Sequence, residues 1–406
     1  MWLLIWQRLH GAAPLEAAVL DLLQDLPADF WPNPCKRVQD WQQSGKPVSG
    51  NTAAYNQARQ KLPLTVVEQS CDRIFDQLMK RMTSACAPVS QRAFILDGSS
   101  LRLAHSPAVA KHFPPTSNQH GESHWPVMRM LVAHDLQTGL AMRPEWGPMF
   151  GPDAVSEQQL LETSIGRLPA GAALIGDANF GVFSVAWTAT QKMHPVLLRL
   201  TLPRAQRLAG KALQGRIDRH VVWKPSREDR KAHPDLPADA CVRGRLIVRQ
   251  VRPNNGDAPF QLALFTTLPD PVKEIRKLYG QRWNIETDLR TLKSQLRMEQ
   301  LSGATPEMAA KEIEMGVAAY NLVRAVICLA AQKSGLPPRD YSFTRAARIV
   351  KSFAPKISCA GSEQEAQRHF DRMMYFLQQA KLPRRKRKPY PRAAWGVGAK
   401  YPKHEK

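Results

Sequence analysis

The segment Tyr279-Gly-Gln-Arg282-Trp-Asn-Ile-Glu286-Thr-Asp-Leu-Arg-Thr-Leu-Lys293 carries a group of residues whose spacing could do chemistry. A helix turns about 100° per residue. With Arg282 at zero, Glu286 falls at roughly 40°, Lys293 near ~20°, and Tyr279 and Arg297 at about 60°. Leu278, Ile285, Leu289, Leu292 and Leu296 fall between about 280° and 340°, so an apolar stripe runs beside a polar, mostly cationic one. One carboxylate among cations on that face suits a metal ligand lying next to a phosphate backbone. Asp270 is expected to cap the helix and Pro271 to occupy its first turn. Taken alone, the helix also fits a solvated surface element whose Arg282–Glu286 pair contributes only about a few tenths of a kcal/mol.

Two further acids stand at the ends of short apolar runs that read as buried strands: Asp97 after Ala93–Leu96, and Asp177 after Ala172–Ile175. Loops at strand ends are where α/β sites form. Each aspartate by itself also fits a turn, since Asp-Gly is a common turn pair; Asp135 in the neighbouring hairpin is read as no more than that. Taken with Glu286, the two aspartates could hold two Mg²⁺ ions. Magnesium prefers hard oxygen ligands and retains water and phosphate oxygens in its shell. A two-metal site activates an attacking oxygen and stabilises the leaving one in phosphoryl transfer.

The elements that must position these acids change character along the chain. Residues 1–88 read as helical, with a periodic stretch at Leu15–Leu26, a short amphipathic piece at Lys36–Gln43, and a helix capped by Ser49 running through Thr52, Tyr55, Arg59 and Leu62. That helix pair could bind DNA or be a plain helical subdomain. The uncapped start at Met1 reads as an element that is longer in related proteins. Residues 89–200 alternate strands and helices: strand 93–96, a hairpin of Val127–His134 and Leu140–Arg143, a helix at 156–167, strand 172–175, a helix at 181–192 and strand 195–200. That pattern indicates a mixed α/β sheet. Residues 201–268 form a β-rich insertion with strands near 221–223, 245–251 and 261–265. The Glu286 helix occupies 269–300. Helices near 305–333, 340–353 and 362–381 make up a C-terminal region at 301–381. Residues 382–406, with Arg384-Arg-Lys-Arg-Lys388 among prolines, are read as a disordered basic tail.

Taken together, these residues resemble the DDE transposases of bacterial insertion sequences, specifically the insertion-sequence-4 family. The marker is Y-x2-R-x3-E-x6-K, matched by Tyr279, Arg282, Glu286 and Lys293. Asp97-Gly98-Ser99 and Gly176-Asp177-Ala-Asn-Phe180 match the first two acidic motifs, and Ala54-Tyr-Asn-Gln-Ala-Arg59-Gln-Lys-Leu62-Pro63 matches the helical start. The resemblance spans nearly the whole chain. It implies an RNase H-like catalytic core in which Asp97, Asp177 and Glu286 bind two Mg²⁺ ions, with Mn²⁺ able to substitute. It implies that Tyr279, Arg282 and Lys293 contact phosphates of the transposon end; Arg297, on the same calculated face, joins them. It further implies a homodimer on paired double-stranded DNA ends that excises the element and joins its 3′ ends to target DNA. Relatives flip a base onto a tryptophan, and Trp223 is the nearest candidate here, with a core role as its rival.

Bulk composition agrees. Fifty-seven Lys+Arg against 35 Asp+Glu give +22 over 406 residues, a balance that points to a polyanionic partner such as nucleic acid. Six scattered cysteines show no zinc spacing and suit a reduced, cytoplasmic, nucleoid-associated protein. No uninterrupted run approaches the ~18 apolar residues of a membrane span, so no membrane partner is expected. The His120-Gly-Glu122-Ser-His124 loop fits no standard zinc motif. Two rival functions remain open at this stage: an inactive or domesticated DNA-binding derivative, and a metal-dependent nuclease on the same fold.

Overall fold

The computed structural model describes residues 1–25, 43–44, 51–83, 92–118, 121–210, 212–252 and 258–383. The expected Ser49 cap, most of the Lys36–Gln43 piece, His120 and the basic tail from 384 lie outside the described residues. Asn51 accepts the Ala53 amide and caps the helix Thr52–Lys61.

One sheet organises the molecule. Strand β1 (Ala93–Arg102) pairs antiparallel with β3 (Gly121–Asp135) over nine positions, from Phe94↔Asp135 to Arg102↔Val127. A short β2 (Pro115–Asn118) and β4 (Glu145–Pro148) both pair with β3. On the other side of β1, β5 (Ala173–Gly176) and β6 (Val196–Leu200) run parallel to it. The spatial order β4-β3-β1-β5-β6, with only β3 reversed in the middle, is the mixed order of an RNase H-like core. Apolar residues alternate along β1 as a two-faced strand requires: Ala93 and Ile95 enter one core, Phe94 and Leu96 the other.

The segment after β6 extends the same sheet. β7 (Ile217–Trp223), β8 (Val242–Val251) and β9 (Phe260–Thr266) form an antiparallel meander, and β9 pairs with β6 from Leu197↔Thr266 to Leu200↔Ala263. Trp223 sits here in an aromatic cluster, edge-on to Phe265 and Phe183, and is 6% exposed. It is a core residue.

Three local expectations need correction. β1 runs five residues past Asp97, so Asp97 lies in mid-strand opposite Val132 instead of at a strand end. The return arm at Leu140–Arg143 is no strand: its one bridge joins Ala141 to His134. The Asn321 side chain bonds both the amide and the carbonyl of Ala141, at 2.8 and 2.7 Å, and takes the place of a strand partner. Asp270 does not cap the following helix, whose N-cap is Pro271; its carbonyl instead accepts from Arg245 at 2.7 Å.

Helices cover both faces. The 29-residue helix Pro306–Ser334 runs through the first core and packs directly against Leu64–Thr83, Trp2–Leu9, Phe343–Ser358 and Glu363–Gln378. By length and hydropathy it could cross a bilayer, but 83% of its most apolar window is buried inside the protein. A buried Arg8–Glu312 ion pair at 2.6 Å ties the first helix to it. Lys311, fully buried, donates to the Arg59 and Gln60 carbonyls at the end of Thr52–Lys61.

Candidate active site

Helical structure runs from Val272 to Gln295, but not as one regular α-helix. Val272–Gly280 and Asn284–Arg290 are α-helical, Gln281–Trp283 is a 3-10 turn, and Thr291–Gln295 is a π-helix. A 3-10 turn winds tighter than an α-helix and a π turn looser, so the uniform 100° step fails across this span. The apolar stripe survives: Ile275, Ile285, Leu289, Leu292 and Leu296 are all in the core that faces Ile95. The polar side chains differ in burial. Tyr279 and Arg282 are each only 7% exposed. The Glu286 side chain is 42% exposed, and Lys293 is half-buried in the π segment. Arg297 leaves the shared face altogether. It lies beyond the helix with a left-handed φ of 52°, and its carbonyl accepts from Arg8 at 3.1 Å.

The two aspartates converge. β1 and β5 are in parallel register at Ile95↔Ile175; continuing two residues brings Asp97 beside Asp177, just past the end of β5. Strand alternation aims Asp97 at the face that packs against the Tyr279–Leu296 segment. Gly98 donates its amide to Asp97 Oδ1 at 2.9 Å, and Asn179 donates its amide to Asp177 Oδ1 at 2.9 Å. Burial pushes the Asp97 carboxyl up from 3.8 to about 6; Asp177 and Glu157 push the same way, while the Gly98 amide and the more distant Arg282 pull down. A carboxyl so placed binds its proton more tightly than an exposed one, a pattern that marks functional sites.

Arg282 links this pair to Glu286, whose Oε1 lies 3.9 Å from Arg282 Nη2. Its guanidinium also stacks 5.1 Å from the ring centre of Trp283, which is 62% exposed. Arg282 Nε is buried without a hydrogen-bond partner among the described residues, and the Tyr279 hydroxyl has the Arg282 guanidinium beside it. Burial raises the Tyr279 hydroxyl against the pull of Arg282 and Arg199, so it remains a neutral donor at neutral pH. Buried polar atoms without partners cost about 1–3 kcal/mol each. Placed next to clustered carboxylates, they are groups that a phosphate could satisfy.

Not every expected partner gathers. Among the described residues no three His, Cys, Asp or Glu side chains converge as a ready metal cage; Glu286 joins the aspartates only through Arg282. Conversely, Glu157 reaches the site unforeseen. Its carboxylate lies against Gly98, where an added Cβ would come 2.0 Å from Oε1, and its Oε2 accepts from the Asn179 side-chain Nδ2 at 2.6 Å. Nothing in the spacing around Glu157 marks it; Ser156-Glu-Gln-Gln159 reads only as a helix start, and Ser156 and Gln159 form the capping box. The exposed Trp283 was likewise visible only as part of the signature segment.

Residues 89–322, more than half of the chain, match the family model described as Transposase DDE domain. The transposase of insertion sequence element IS4 from Escherichia coli (strain K12) is 25% identical over 320 residues, covering 76% of this chain and 68% of that protein. A mycothiol acetyltransferase from Frankia casuarinae is 32% identical over 155 residues, covering 36% of this chain and 40% of that one. Among solved structures, a piggyBac transposase synaptic complex with hairpin DNA matches with a TM-score of 0.41 at 10% identity, covering 89% of this chain and 74% of that one. The strand order, not this distant likeness, identifies the core topology.

Proposed function

The chain belongs to the DDE transposase family, enzymes that cleave and transfer DNA strands, and from that premise we propose that its reaction is carried by Asp97, Asp177 and Glu286. The observation that supports this most directly is the half-buried Asp97 beside Asp177, with the buried Arg282 guanidinium and Tyr279 hydroxyl close by. Under this reading the protein binds the terminal inverted repeats of its element as a homodimer on double-stranded DNA. It excises the element and joins the 3′ ends to target DNA, working at the bacterial nucleoid.

The donor set suits a divalent cation. The ligands offered are hard carboxylates, and Asp97 resists ionisation where it lies, so a cation there relieves a standing electrostatic cost. Asp97, Asp177 and Glu286 would hold two Mg²⁺ ions, with Mn²⁺ as substitute. Bound, the pair would supply activation of the attacking oxygen and stabilisation of the leaving one. The absence of a closed three-acid cage is compatible with Mg²⁺, which draws several of its oxygens from water and phosphate.

The chain's own side chains hold the DNA. Tyr279 donates its neutral hydroxyl to a phosphate oxygen, and Arg282 offers Nε from a fixed fork, the geometry that suits phosphate. Lys293 contributes a point charge further along. Arg297, off the helix face, reaches the backbone from the adjoining turn. Trp283 presents an exposed ring on which an unpaired base can stack. Thr52–Lys61, whose residues are all at least partly exposed, supplies polar contacts to the ends.

The test is incubation with DNA flanking its own reading frame plus Mg²⁺, alongside Asp97→Asn and Glu286→Gln. Defined cuts and joined 3′ ends, lost in both variants while end binding survives, are the expected result. Cuts without joining would mean a nuclease. Binding without cuts by the wild type would mean a DNA-binding derivative. Cleavage at near wild-type rate by Glu286→Gln would remove Glu286 from the site.

A further inference from the structure

We propose that Asp288 is a positioning residue for Glu286, acting through a buried ion pair with Arg339 that sets the rotation of the short helix between them. The inference rests on the reading of Glu286 as a reacting-centre ligand.

Glu286 and Asp288 are two positions apart, so on the helix Asn284–Arg290 their side chains point roughly 200° apart. One is half-exposed, with its carboxylate 3.9 Å from Arg282; the other is 4% exposed and turned inward. Asp288 is held on both oxygens. Arg339 Nη1 donates at 2.9 Å to Oδ2 and 3.2 Å to Oδ1, and the Tyr320 hydroxyl lies 3.1 Å from Oδ1.

The partners are themselves fixed. Arg339 donates Nε to the Leu136 carbonyl at 2.6 Å and Nη2 to the Asp135 carbonyl at 3.1 Å. Arg324, fully enclosed, donates twice to the Thr138 carbonyl, and the Tyr320 hydroxyl lies 3.0 Å from the Gly139 carbonyl. All of these carbonyls belong to the turn that closes β3, and β3 is the strand paired with Asp97. Asp288 therefore joins the Glu286 helix to the frame that carries the first aspartate.

The helix is seven residues long, with a 3-10 turn before it and a π turn after it. Ile285 and Leu289 seat it in the core, and apolar packing tolerates some error in angle. The fork-held carboxylate adds a directional restraint on the same inward side, with Glu286 pointing the other way. Misplacement of a reacting group by about 1 Å can cost ~100-fold in rate, and loss of a group that orients a metal ligand typically costs 10–100-fold.

The test uses full-length protein, Mg²⁺ and duplex DNA flanking its reading frame, with Asp288→Asn, Arg339→Lys, Tyr320→Phe and Glu286→Gln. Four readouts are taken: thermal midpoint, DNA affinity, single-turnover cleavage rate, and the Mg²⁺ concentration giving half-maximal rate. Asp288→Asn is expected to slow cleavage about 10–100-fold and raise the Mg²⁺ midpoint, with DNA affinity within about twofold. Arg339→Lys, which keeps the charge but loses the fork, should follow it. Tyr320→Phe, which loses one hydroxyl, should show a smaller shift in the same direction, and it decides the matter if Asp288→Asn does not fold. Wild-type rate and Mg²⁺ midpoint in folded Asp288→Asn, or a rate loss that tracks only lost folding or lost DNA affinity, would overturn the inference. Full activity in Glu286→Gln would instead overturn the reading beneath it.

Discussion

Removing the Asp97 charge should make the metal-free protein more stable. Its carboxyl is pushed by burial from 3.8 to about 6. The sign follows from linkage: the folded state holds the proton more tightly than the unfolded chain, so ionisation favours unfolding. Wild type and Asp97→Asn should therefore be equally stable below pH ~3.8. The wild type loses ground as pH rises from there to about 6, and the gap is constant above pH ~7. A shift of roughly two units at 1.36 kcal/mol each sets an upper bound on the order of 3 kcal/mol, which solvent screening at this half-buried carboxyl lowers to about 1–2 kcal/mol. With about 2.1 cal/mol/K of unfolding entropy per residue, that corresponds to a midpoint about 1–2 °C higher for the variant. Calorimetry in chelator at pH 4 to 8 measures it. Millimolar Mg²⁺ should then close the gap from the wild-type side alone, since a ligand stabilises only the state that binds it. No gap at pH 8, or a gap largest at pH 4, would refute the reasoning.

Three further outcomes are expected. Lys293→Ala should weaken DNA binding and lower the salt slope by about one phosphate contact; an unchanged slope would exclude a phosphate role. Gly98→Ala should displace the end of the Glu157 side chain, whose Oε1 would lie 2.0 Å from the new Cβ, and break its contact with Asn179 at a cost of about 1 kcal/mol or less. The double variant with Glu157→Ala should recover part of that loss, and strict additivity of the two would mean that they do not clash. Trp283→Ala, at a ring 62% exposed, should leave the thermal midpoint unchanged while lowering affinity for ends with unpaired bases by about 1–3 kcal/mol per stacked base. Equal losses on fully paired and unpaired ends would argue against stacking.

The motif residues and the alternation of β1 were readable from the chain because each depends on near neighbours. Apolar runs with period two mark strands, and Tyr279-x2-Arg282-x3-Glu286-x6-Lys293 is a local spacing. The helix period also identified the apolar residues of the Glu286 segment correctly, since burial of Ile285, Leu289 and Leu292 tolerates some error in angle. It failed for Arg297 and did not give the burial of Tyr279 and Arg282. The change from 3-10 to α to π winding takes Arg297 off the shared face, and Tyr279 and Arg282 turned inward, where the sheet and its carboxylates receive them. Asp97 was placed at a strand end because its polarity breaks the apolar run; the pairing with β3, five residues further, comes from across the sheet. Glu157 against Gly98, Asn321 in place of a strand partner at Ala141, and Arg339 on Asp288 are contacts between residues 51 to 180 positions apart. Pairings at such separations leave no periodic trace. The chain by itself determined which side chains could do chemistry and roughly which element carries each. Only the packed sheet and helices decided which of them meet, because that depends on strand register and on how each helix is rotated and anchored.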